Sequence, residues 1–147
     1  MPANVYILLK ILKQEVCLIY AHKLGKPPVS IFSIECKRLP APDKRREKEY
    51  VIGDKNNGGI ERYKTEKHGK NLNESGMLGF VEKKTFSFWQ QCINTWILDL
   101  SVISNVWQAD ENLEAVENKE DFMLLKSLAH RTSLKDICLH HLWINIQ

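Results

Sequence analysis

The chain has 147 residues, of which 44% are hydrophobic and 27% charged, with a formal net charge of +3 at neutral pH. That length suits one domain, residues 1–147, able to bury roughly two-thirds of the surface its unfolded form exposes. The balance excludes a disordered or membrane-dominated chain, and the mild positive excess permits contact with an anion such as nucleic acid without implying it.

The first stretch, "MPANVYILLKILKQEVCLIY", is apolar, but Lys10, Lys13 and Glu15 interrupt it before the roughly 18 to 20 residues a spanning helix needs. No membrane partner is expected. The chain begins abruptly in apolar sequence, as a domain lacking its first element would. Residues 4–13 suit either a helix end or a first strand. Residues 16–21 form a continuous β-prone run, "HKLGKPP" interrupts it, and a second run covers 29–39, so a hairpin is expected.

"PAPDKRREKE" (40–49) reads as a charged, solvated connection and "YVIGDKNNGG" as a loop. "IERYKTEKHG" has helical composition closed by Gly69. A short strand is expected over 76–84, where Gly76 and Gly79 suit close backbone approach or a bulge. Thr85 then caps "FSFWQQCINTWILDLS", in which Phe88, Cys92, Trp96 and Leu100 recur at helical spacing. "ENLEAVENKEDF" reads as mobile or as a short helix, and the C-terminal runs around "RTS" read as a second hairpin. Strands interleave with helices, giving an α/β expectation of mixed α+β kind: a central mixed sheet flanked by helices.

Cys17, Cys36, Cys92 and Cys138 lie far apart, without a C-x-x-C pair or finger-like histidines, so neither a zinc site nor a disulfide framework is expected. Free thiols in a reducing, cytoplasmic compartment are the simplest account. The four tryptophans read as core residues. His140 and His141, adjacent in a strand, face opposite sides and are read, with His130, as structural.

One feature of the second run carries chemistry. In "SIECKRL", Glu35 and Lys37 stand two residues apart and share a strand face. They interrupt a core-type run. A carboxylate holds a divalent cation, and a neighbouring ammonium orients a water or steadies phosphate charge.

This E-x-K, with "EYV", "GGIERY", "EKHGK" and "SGMLGFV" after it, resembles the PD-(D/E)xK nuclease superfamily, and in particular its bacterial restriction-type members, over residues 30–82. The resemblance implies a restriction-endonuclease-like fold in which a hairpin places one acid at a strand start and the E-x-K in the next strand. It implies a Mg2+- or Mn2+-dependent endonuclease, hydrolysing phosphodiester bonds of DNA. The ligands would be Glu15, Glu35 and the main-chain carbonyl of Cys36, with Lys37 positioning the water. The family's upstream acid is usually Asp, whereas no Asp precedes Asp43 here, and Glu15 takes that place twenty positions before Glu35. Arg62, on the helix beside the site, would contact phosphate, with Lys64, Lys67 and Arg38 as further nucleic-acid contacts. The alternative is a non-catalytic nucleic-acid-binding or accessory/interaction domain derived from such a nuclease; under either reading the expected partners are DNA and a second copy of the chain or a partner protein.

Overall fold

The structure, a computed structural model, describes residues 5–12 and 16–23 as backbone and residues 29–147 with their side chains. The described strands are β1 (Val5–Leu12), β2 (Val16–Lys23), β3 (Val29–Leu39), β4 (Glu74–Val81), β5 (Glu114–Asn118), β6 (Phe122–Ala129) and β7 (Ile137–Asn145). They form one mixed sheet in the order β1-β2-β3-β4-β7-β6-β5. Helix α1 (Gly59–Lys64) falls between β3 and β4, and α2 (Phe86–Ile103) follows β4. The chain is therefore a mixed α/β structure.

β1, β2 and β3 form an antiparallel meander, so the expected first hairpin is present. β3, β4 and β7 run parallel, and β7, β6 and β5 antiparallel. A parallel neighbour cannot be reached by a tight turn, so the chain between β3 and β4 crosses over. That crossover carries both the charged segment after Leu39 and α1.

Strand alternation sorts the sheet into two unlike faces. Leu39 of β3, Met77 and Val81 of β4, Met123 and Leu125 of β6, and Leu139 and Trp143 of β7 join one core with Tyr50, Ile60, Tyr63, Trp89, Ile93 and Ile97. Both helices thus bury their apolar sides on this face. Gly79 is registered opposite Trp143, and a Cβ on it would lie 2.5 Å from the indole Cδ1, so this glycine leaves space for a ring rather than for another backbone. The other face presents Phe32, Cys36, Leu78, Phe80, Cys138, His140 and Leu142 half-buried or exposed.

Three local expectations change. The buried stripe of α2 is Trp89, Ile93 and Ile97, one position from the expected Phe88 series, and Phe88 is 40% exposed. Both stripes are apolar, and the Trp89 indole N–H, donating to the Lys83 carbonyl at 2.7 Å, sets the rotation. Thr85 caps the helix as expected, its hydroxyl accepting from the Phe88 N–H. The helix expected up to Gly69 stops at Lys64: Thr65 turns both its N–H and its hydroxyl onto the Glu61 carbonyl, and Glu66 takes a φ of 63°. The acidic segment after Leu113 is neither loose nor helical; it supplies β5, whose residues are all exposed. An edge strand with both faces in water needs no alternation, and its acids discourage further strand addition.

The covered face also holds a polar chain. Trp143 Nε1 donates to the Tyr50 hydroxyl at 2.8 Å, which leaves that hydroxyl to donate to His141 Nδ1 at 2.7 Å. His141 Nε2 then carries the proton towards Ser127 Oγ at 2.8 Å. Full burial pushes the His141 pKa down to about 3, so the ring is neutral in the folded chain. Between pH 6.5 and about 3 the unfolded chain binds a proton the folded chain refuses, so stability falls as pH falls through that window, at about 1.4 kcal/mol per unit. We expect the parent to lose about 2–3 kcal/mol more than His141→Gln between pH 7 and 4.5 in urea unfolding; equal losses would refute the assignment.

Candidate active site on the covered face of the sheet

Glu35 is 0% exposed. Removing a carboxylate from water costs several kcal/mol unless it is paired. Lys37 Nζ lies 3.0 Å from Glu35 Oε1, and Arg62 Nη1 donates to the same oxygen at 2.9 Å. The E-x-K pair therefore shares a face, as its spacing predicts, but that face is interior. The second oxygen, Oε2, has no hydrogen-bond partner among the described residues. His68 Nε2 stands 3.6 Å from it, beyond a normal hydrogen bond.

Burial raises the Glu35 pKa above the usual carboxylate range, against the opposite pull of Lys37 and Arg62. Burial first, then the charges of Arg62, Lys37 and Lys67, lower that of His68. The imidazole is thus neutral at pH 7 and adds no third charge to the pair of cations.

The start of α1 sets these partners in place. A helix leaves its first N–H groups without internal acceptors. Here Gly59, Ile60 and Glu61 donate to the carbonyls of Glu49, Tyr50 and Val51 at 2.8, 3.1 and 3.0 Å. The Glu61 carboxylate accepts from the Gly53 and Gly58 N–H groups at 3.1 Å each. Tyr63 then pins the helix to the sheet, its hydroxyl donating to the Gly76 carbonyl at 2.9 Å. Burial raises the Tyr63 pKa well above its ordinary value, so the hydroxyl keeps its proton. Past the helix, the Arg62 carbonyl accepts from the N–H groups of Lys67 and His68, which folds the chain back and brings His68 to Glu35.

Lys37 and Arg62 also line a cleft of about 670 Å³. Lys44, Arg45, Arg46 and Lys48 complete its basic lining, against Glu47, Glu49 and Asp54. Arg45 is paired with Asp43 and Arg46 with Glu49. The mixed-sign run "DKRREKE" reads in sequence as a solvated connection. Its part in the cleft follows from the crossover: a segment leaving the C-terminal end of β3 must pass over the mouth of the site that β3 carries.

The remaining predicted residues scatter. Arg38 points to the opposite face and grips Glu82 through Nε and Nη2. Lys67 donates to the carbonyls of Lys55 and Asn56 at 3.0 Å each, bracing the loop before α1. Lys64 is a correction: it is 1% exposed, its ammonium 2.7 Å from Glu111 Oε1, 2.9 Å from the His130 carbonyl and 4.7 Å from the Trp107 ring centroid. It faces the interior because α1 packs on the sheet through the side that Ile60, Tyr63 and Lys64 share. It cannot reach a phosphate from there. Cys36 lies in the β3–β4 ladder opposite Leu78. Glu15 lies outside the described residues; Val16, which follows it in sequence, is registered opposite Glu35.

Among the described residues Glu35 Oε2 is the one buried carboxylate oxygen without a partner, and it suits a cation ligand. Among the described residues, however, Glu35 belongs to no group of three metal-ligating side chains. His68, which in sequence reads only as part of a basic stretch with Lys64, Lys67 and Lys70, comes near Glu35 through the fold-back after α1. No family model, curated protein or solved structure matches the chain.

Replacing Lys64 with Ala strands the Glu111 charge in the interior and is expected to cost about 3–5 kcal/mol in denaturant unfolding. The double variant Lys64→Met/Glu111→Leu should recover most of that loss. A Lys64→Ala protein of parental stability would refute the buried pair.

Proposed function

We propose that the chain is a metal-dependent nuclease of PD-(D/E)xK type acting on DNA. The observation that carries the reading is the buried E-x-K at the inner end of a basic cleft, where Lys37 and Arg62 touch both the carboxylate and the cleft. The antiparallel β2–β3 pair and the position of α1 beside it agree with the resemblance.

In this reading Lys44, Lys48 and their neighbours hold the phosphodiester backbone by charge, and Arg62 turns towards a non-bridging phosphate oxygen. Lys37 and Arg62 oppose the desolvation that raises the Glu35 pKa, and the Lys37 ammonium orients the attacking water. Glu35 Oε2, with Glu15 and the Cys36 carbonyl, would hold Mg2+ or Mn2+, which when bound neutralises phosphate charge and acidifies water. Glu is one methylene longer than the Asp usual at the Glu15 position, so the liganding needs local adjustment.

The second reading is a non-catalytic DNA-binding domain of the same descent. It is favoured by the convergence of two cations on Glu35 Oε1, a lock that holds the carboxylate without a metal.

Plasmid nicking in Mg2+ or Mn2+ tests the first reading. Glu35→Gln and Lys37→Ala are expected to lower the nicking rate by about a hundredfold or more. Equal rates in parent and variants would sink the assigned roles, and DNA binding without cleavage by the parent selects the second reading. In either case Lys44→Ala and Lys48→Ala should each weaken DNA binding and reduce the slope of log affinity against log salt by about 0.9. A parent that neither binds nor cuts DNA refutes both.

A further inference from the structure

A second group of ligating side chains lies on the open face of the sheet, away from Glu35. Cys138 and His140 are two residues apart on β7 and share that face, and Glu74 of β4 is registered opposite Cys138. His140 Nε2 stands 3.3 Å from Glu74 Oε1 and 3.9 Å from Cys138 Sγ, and the three ligand atoms all lie within 4.8 Å of one another. Cys138 is a free thiol.

These spacings match one coordination sphere. Zinc binds thiolate sulfur at about 2.3 Å, imidazole nitrogen at about 2.0–2.1 Å and carboxylate oxygen at about 2.0–2.2 Å. At tetrahedral angles the nitrogen would then sit about 3.4 Å from the oxygen and about 3.6 Å from the sulfur. The two observed separations are close to those values before any side chain moves. Lys126 of β6, registered opposite His140, shares this face of the sheet.

We propose that Glu74, Cys138 and His140 form a Zn2+ site with one coordination position open to solvent. The donor set separates it from the site around Glu35. A thiolate and an imidazole select a borderline-soft ion such as Zn2+ or Co2+, whereas Mg2+ prefers oxygen ligands only. The inference stands whether or not the chain cuts DNA. No local motif marks the group, because Glu74 is 64 positions from Cys138 and only the parallel pairing of β4 with β7 brings them together.

The test uses the full chain with the metal alone. Bound Co2+ should give a near-ultraviolet thiolate-to-cobalt charge-transfer band that stoichiometric Zn2+ abolishes. Cys138→Ser should remove the band. Cys138→Ser, His140→Asn and Glu74→Gln should each weaken Zn2+ binding at least about tenfold, while Cys92→Ser leaves it unchanged. A measurement on the parent needs no variant: saturating Zn2+ should slow alkylation of Cys138, followed by peptide mass spectrometry, at least about tenfold. A Co2+ complex without a thiolate band, a band that survives Cys138→Ser, or alkylation of Cys138 at an unchanged rate would overturn the proposal.

Discussion

A carboxylate taken out of water must be met by donors, and the placement of Glu35 inside the covered face of the sheet imposes that demand on everything around it. Lys37 answers from the same strand, two residues on. Arg62 answers from α1, and can do so only because the helix is fixed at both ends: its first N–H groups are taken by the carbonyls of Glu49, Tyr50 and Val51, and Tyr63 is tied to the Gly76 carbonyl. The parallel β3–β4 pairing, the crossover it requires and the helix within that crossover form one solution to the burial of one charge. Among the described residues no donor meets Glu35 Oε2, and there that solution stops.

The same constraint divides the basic residues of the crossover into two kinds. Lys64 lies in the interior, where Glu111, the His130 carbonyl and the Trp107 ring surround its ammonium. Lys44 and Lys48 line the open cleft above Lys37 and Arg62. A buried ammonium contributes to cohesion and an exposed one to recognition, and which it does depends on the direction its helix face or turn presents. Net charge is blind to this distinction. The mild +3 of the whole chain conceals a cleft in which six cations face three acids.

Much of the architecture was legible because its signals are local. The run from Val29 to Leu39 is bounded by prolines, Thr85 opens a helix with a hydroxyl, and the two C-terminal apolar runs are separated by a polar turn. Each of these elements stands where the residues put it. The failures share a physical cause as well. β5 is an exposed edge strand, so nothing in its composition alternates. α2 has two adjacent apolar stripes, and the Trp89 indole decides between them by a hydrogen bond to a carbonyl outside the helix. Lys64 and Lys67 look alike in sequence, three positions apart, yet one is buried and the other braces a loop.

The sequence by itself determined that this is an α/β chain with an antiparallel entry and exit, and that Glu35 and Lys37 share a face, since strand period and helix capping are written in neighbouring residues. The tertiary structure alone decided that this face is interior, that Arg62 and His68 close on Glu35, that the charged connection lines a cleft, and that Glu74 meets Cys138 and His140. Those facts depend on strand order and register, which arise from contacts between residues tens of positions apart. No window of sequence contains them.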